Sequence, residues 1–228
     1  MMKITPKVAL EIAFSEGLVR QAYKDSVGVW TWSIGITNAT GHKVERYIDN
    51  PQPMRRCIEV YLWALERYAE DVRRAFAGFD LTEAQFAAAL KFHYNTGAIG
   101  RASWVKKWKA GDVSGARKRF MDWRKPPEII PRRRAERDLF FDGKWSGDGT
   151  VMEYTEVTAN HIPKWSSARR VDISSDVLAI LGAETPTHAP KSSPEPTTPD
   201  NTKNPAGALA AAFMALVRLI LSMLPKGK

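Results

Sequence analysis

The 228-residue chain is 44% hydrophobic and 10% aromatic, which excludes wholesale disorder and suits one or two domains with a real core. Its net charge of +9 is concentrated, because Arg101 to Arg137 holds 13 Lys or Arg against 4 Asp or Glu and the rest of the chain sums to zero. A lone cysteine, Cys57, excludes an internal disulfide, and the scattered histidines His42, His93, His161 and His188 lack metal-ligand spacing, so no metal or cofactor is expected.

In chain order, Thr5-Pro6 is a cap with proline at the first helical position, and Val8 and Ile12 with either Ala9 or Ala13 continue a short helix that ends near Glu16-Gly17. Met1 to Phe14 carries no apolar run of signal-peptide type, so no secretory signal is expected. Val27 to Thr37 is β-branched and aromatic with glycines at 28 and 35, a pattern for short strands or a hairpin. Ile58, Tyr61, Leu62, Leu65, Tyr68, Val72 and Phe76 step by three or four and predict a long amphipathic helix over 55–77. Thr82 with Gln85 forms a capping box for a helix that closes near Asn95-Thr96-Gly97. Shorter helices are expected at 103–109, 114–123 and 132–140, and residues 143–175 turn irregular or β-rich.

Residues 185–205 are rich in Pro, Thr and Ser and read as a linker. Residues 206–224 have only Arg218 and Ser222 as polar side chains, a length that just spans a bilayer. Both a membrane span and a self-associating helix fit this tail, and membrane association is the favoured reading.

The chemistry-bearing spacing is Glu16, Asp25 and Thr31. Glycoside cleavage needs one carboxyl to protonate the leaving oxygen and a second to serve the opposite face of the sugar. Glu16, set among Phe14, Leu18 and Val19, is expected to hold its proton, while Asp25 in a polar turn is expected to stay charged. Trp30 and Trp32 either stack on sugar rings or pack in the core.

The run Glu16-Gly-Leu to Ala22-Tyr-Lys-Asp25 to Thr31 closely resembles the catalytic segment of the phage-type lysozymes, glycoside hydrolase family 24. Leu81 to Leu90, Tyr94-Asn95-Thr96-Gly97, Trp108 to Asp112 and Pro131 to Arg137 resemble further family segments, in order over residues 5 to 142. The resemblance implies an α+β, mainly helical, two-lobed fold with a small β lobe and a long connecting helix at 55–77. It implies a catalytic domain at 1–145, followed by a segment of unassigned role at 146–184 packed on or after it. It also implies a muramidase, with Glu16 as general acid and Asp25 and Thr31 positioning a water for inversion. Asn95 is then a cleft residue, with a helix cap as the alternative, Trp32 a candidate sugar contact, and Arg134 or Arg137 a candidate neighbour of Glu16 or the saccharide. Two positions depart from the family pattern, Ser33 standing for a glycine and Ile36 for a histidine.

The implied partner is peptidoglycan, reached from the host cytoplasm through a pore made by another protein, with an anionic membrane as a second partner for the basic region and residues 206–224. Lytic transglycosylation is the chemical alternative, and a membrane-perturbing protein with a degenerate lysozyme domain the functional one. A basic nucleic-acid module at 101–137 leaves the Glu16 motif unexplained, so no specific nucleic acid is expected.

Overall fold

The computed structural model describes residues 2–183, so the linker and apolar tail expected at 185–224 lie outside the described residues. Among those described, no helix is long and apolar enough to cross a membrane.

Helix α1, Pro6–Ala13, starts where Thr5 Oγ1 accepts the Val8 amide at 3.2 Å. Two further turns of backbone bonding carry the chain to Glu16, and strand β1, Gly17–Lys24, begins at the next residue. β2, Trp30–Ser33, and β3, Ile36–Thr37, complete a small antiparallel meander. Helix α2, Met54–Ala75, follows Pro53 and buries Ile58, Tyr61, Leu65 and Val72 along one face. It packs on β2 at one side and α3 at another, linking the meander to the helical core.

Helix α3, Glu83–Thr96, has the reciprocal Thr82–Gln85 capping box, and Gly97 closes it with φ 60°, the left-handed conformation that glycine adopts without steric cost. From Phe86 to Thr96 every side chain is buried, as expected for a helix enclosed on all sides. Its neighbours are α1, α2 and α6, Ile130–Asp142. Helices α4, Ser103–Lys109, and α5, Val113–Phe120, close the far end through an aromatic cluster of Phe76, Phe92, Trp104, Phe120 and Phe140. The ring centroids of Trp104 and Phe120 lie 4.6 Å apart.

The segment expected to be irregular or β-rich supplies β4, Thr150–Tyr154, β5, Ala168–Asp172, and helix α7, Ser174–Ala183. β4 pairs parallel with β1, giving one five-stranded sheet of order β3-β2-β1-β4-β5, and α7 packs on α1 and α2. β1 itself was hidden in the sequence. Its register shifts between Val19 and Tyr23, and Gly17, Leu18 and Val19 are buried in succession, so the alternation that marks a half-buried strand is lost.

Replacing Thr82 by Ala removes one half of the capping box, and a loss of about 1 kcal/mol is expected. Thermal unfolding is expected to shift down by about 2–4 °C, with catalytic activity unchanged because the cap lies at the end of α3 remote from Asn95 and Thr96.

Candidate active site

Glu16 sits between the end of α1 and the start of β1, and only 3% of its surface is exposed. Burial drives its pKa up from 4.5 to about 6, against the opposing pull of the Arg132 guanidinium. Arg132 Nη2 donates to Glu16 Oε1 at 2.7 Å, and its Nη1 donates to the Ser15 carbonyl at 3.3 Å. The same guanidinium donates through Nε to Glu136 Oε1 at 2.7 Å, and Glu136 also meets Arg133. Arg133 in turn donates to Asn95 Oδ1 at 2.6 Å and to the Trp123 carbonyl at 3.0 Å, and it lies over the Phe92 ring. All five charged or amide side chains of this chain of contacts are buried.

The arginine at Glu16 is therefore Arg132. Arg134, named from the sequence, is exposed on α6, and Arg137 pairs with Asp138. Helical geometry explains the difference, since Arg132 and Arg133 straddle Glu136 at i+4 and i+3 and turn inward together, while Arg134 points out. Asn95 is buried within α3 as the acceptor for Arg133, and the cap of that helix is Gly97.

Asp25 closes the turn between β1 and β2. Its Oδ1 accepts the amides of Val27 at 2.8 Å and Val29 at 2.9 Å, and Gly28 takes φ 81° to complete the turn. Oδ2 is buried with no hydrogen-bond partner. Burial raises the Asp25 pKa, and the Val29 and Val27 amides offset part of the effect. Thr31 lies opposite Tyr23 on β2 and is buried. The Val29 carbonyl accepts both the Asp25 amide, at 3.0 Å, and the Thr31 hydroxyl, at 3.2 Å, so one oxygen ties the two residues together.

Tyr23 connects the halves. Burial raises its pKa, and the charges of both Asp25 and Glu16 raise it further, while its strand pairing sets it opposite Thr31. Alternation sends Trp30 and Trp32 to the other side. Trp32 is wholly buried, donates its indole N–H to the Arg20 carbonyl at 2.8 Å and stacks on Tyr47, so it is core and not a sugar contact in this conformation. Among the described residues, no His, Cys, Asp and Glu cluster could hold a metal ion.

A family model described as Phage lysozyme matches residues 13–136, more than half of the chain. The chain belongs to the phage lysozyme family. Membership makes it a lysozyme-type glycosidase, and its relatives are consistent with this. The endolysin of Acyrthosiphon pisum secondary endosymbiont phage 1 is 30% identical over 156 residues, which is 61% of this chain and 98% of that protein. The endolysin from Escherichia coli O157:H7 phage FAHEc1 superposes with a TM-score of 0.57 at 26% identity, covering 64% of this chain and 97% of the other. The muramidase domain of SpmX from Asticaccaulis excentricus shares the fold, with a TM-score of 0.52 at 23% identity over 62% of this chain and 99% of that one.

Family membership also explains Ser33, which stands where the phage lysozymes usually carry glycine. Its φ is 55°, a left-handed conformation natural to glycine. The serine hydroxyl donates to the Cys57 carbonyl at 2.9 Å, which helps hold the residue there.

The raised pKa of Glu16 has a stability consequence whose sign is fixed. A carboxyl with a folded pKa of about 6 against 4.5 unfolded binds its proton more tightly when folded, so its contribution is complete below pH 4.5 and is lost as pH rises through about 6. The difference of about 1.5 units corresponds to about 2 kcal/mol at neutral pH. The loss of unfolding free energy between pH 4.5 and pH 7, measured by denaturant titration, is expected to be smaller in Glu16→Gln than in the unaltered protein by about that amount.

Proposed function

We propose that the protein is a muramidase that hydrolyses the β-1,4 bond between N-acetylmuramic acid and N-acetylglucosamine in peptidoglycan, with inversion, in the service of host cell lysis. The observation that carries the reading is the contrast between two carboxyls at the ends of one strand, Glu16 buried on Arg132 and Asp25 tied to Thr31 through the Val29 carbonyl with its Oδ2 left free.

Glu16 is the general acid. Below its pKa it carries the proton that the glycosidic oxygen needs as the bond to the anomeric carbon lengthens, and Arg132 stabilises the carboxylate that remains. Asp25 and Thr31 handle water. The Thr31 hydroxyl gives its hydrogen to the Val29 carbonyl, so its oxygen is available as an acceptor, and Asp25 Oδ2 is available as a second. A water that donates one hydrogen to each presents a lone pair to the far face of the sugar ring. Asp25 takes the proton as the new bond forms, and the product carries one added water.

The wall is the site of action in this reading, reached from the cytoplasm through a membrane pore made by another protein. An anionic membrane is a second surface for the basic stretch 101–137. Two of its arginines, Arg132 and Arg133, are withdrawn into the interior, and the remainder offers the charge.

On purified peptidoglycan, Glu16→Gln and Asp25→Asn are expected to lower the release of reducing ends about 10²–10⁴-fold while circular dichroism shows a folded protein. Product masses from the unaltered enzyme are expected to contain water at each cut bond. Anhydro products would point to transglycosylation, and a fully active Glu16→Gln would end the assignment.

The alkaline side of the kcat profile reports the acid. It is expected to fall with a midpoint near pH 6, and Arg132→Gln is expected to move that midpoint upward, since the variant removes the cation that favours ionised Glu16. An unmoved or lowered midpoint in a folded variant contradicts the role given to Arg132.

A further inference from the structure

β1 carries the two proposed catalytic carboxyls at its two ends, Glu16 just before its first residue and Asp25 just after its last. One edge is occupied by β2, but that ladder breaks, with paired residues at Val19, Tyr23 and Lys24 and a register shift between the first two. A bulged strand bends at the bulge, so β2 alone leaves the spacing of the ends soft.

The other edge belongs to the segment beyond the family match, which ends at residue 136. At the Glu16 end, Gly17 and Leu18 pair with Met152 and Glu153 of β4. Midway, Arg20 meets the buried Glu153 carboxylate at 2.8 Å. At the Asp25 end, the Lys24 amide donates to the His161 carbonyl at 2.7 Å. Both ends of β1 are therefore fastened to one continuous stretch of chain.

His161 sits in a small self-bonded turn, with Thr158 and Ile162 bonded at 2.8 Å and Val157 bridged to Pro163. Its φ is 60°, and Asp49, which its Nε2 meets at 3.2 Å, has φ 51°. Together with Ser33 these are the only non-glycine residues with positive φ among those described. Such conformations are unfavourable for a residue with a side chain and persist where the surroundings dictate them. The imidazole also lies edge-on to Trp30, with ring centroids 5.2 Å apart, on the opposite side of the hairpin from Thr31.

We propose that the segment from β4 to β5 is a splint along β1 that fixes the separation of Glu16 and Asp25, with His161 as the positioning residue at the Asp25 end. The inference rests on the catalytic reading above. It matters because the spacing of two carboxyls decides whether a water fits between sugar and base. The acting atom is the His161 carbonyl oxygen, aimed by the left-handed backbone, and the side chain anchors the turn to Asp49 and Trp30.

The experiment uses the full chain and soluble glycan strands as substrate. His161→Pro fixes φ near about −65° and turns the carbonyl away. Asn tolerates positive φ, so His161→Asn keeps it. We expect His161→Pro to lower kcat at least tenfold with KM within twofold, and its acid limb to move to lower pH as the Asp25 turn opens to solvent. His161→Asn is expected to retain at least half the activity. A folded His161→Pro with normal kcat, or one that raises KM alone, overturns the splint. Should His161→Pro fail to fold, hydrogen exchange at Lys24 in the unaltered protein decides, with slow exchange expected and exchange at the free-peptide rate overturning it. Glu16→Gln assayed in parallel separates the failures: its full activity removes the catalytic reading, while its inactivity beside a fully active His161→Pro removes the splint alone.

Discussion

A carboxyl enclosed within a protein is tolerable only if the interior answers its charge, and the organisation of this enzyme follows from how Glu16 is answered. Arg132 bonds to it, but an arginine brought inside is itself an unsolvated charge. Glu136 takes up its Nε, Arg133 comes in beside Glu136, and Asn95 and the Trp123 carbonyl absorb the remaining donors of Arg133. The chain of contacts runs from the end of α1 across α6 to α3, so the acid cannot shift without disturbing three helices. Satisfied networks of this kind hold groups rigidly because every alternative leaves a buried polar atom unpaired.

The same network leaves Glu16 in a poised state. With Glu16 ionised, Arg132 and Arg133 face Glu16 and Glu136 and the four charges cancel, which favours the anion. Burial favours the neutral acid by more, and the result is a pKa near 6. Asp25 is built on the opposite plan. It is half-buried in a surface turn, holds one oxygen in two backbone amides and keeps the other free. The division of labour proposed for Glu16 and Asp25 therefore rests on a difference in local solvation before it rests on a difference in sequence.

The helices were readable because their ends carry their own chemistry: Thr5-Pro6, the Thr82–Gln85 box and Gly97 all act where the spacing placed them. The spacing Glu16, Asp25, Thr31 is legible as a motif, and the roles attached to it are those proposed above. What sequence concealed was tertiary. β1 is broken by a bulge and covered by a strand from 130 residues later in the chain, so no local period marks it. Among the four arginines of residues 132–137 on α6, choosing the inward one needs the helix phase, and that phase shows in the contacts of Arg132 and Arg133 with Lys91 and Asn95 of α3. Trp32 gave an ambiguous signal for a physical reason, because a tryptophan with an indole N–H bonded to a backbone carbonyl is as well satisfied inside a fold as on a sugar.

The segment beyond residue 145 shows how a catalytic fold of this kind takes on additional chain. Glu11 of α1 is buried against Lys91 of α3 at 2.5 Å. Burial alone would raise its pKa, yet Lys91, the Ser146 hydroxyl and the Gly147 amide together hold it below the usual value. The amides of Ser146 and Gly147 both donate to Glu11 Oε2, so this interior ion pair is completed by the first residues of the added segment. From there the chain enters the sheet beside β1 and ends as α7 on α1 and α2. An addition that only lay on the surface would leave the helical core's polar groups to find partners elsewhere. This one supplies hydrogen bonds to Glu11 inside the helical core, and its later strand and helix pack on β1, α1 and α2.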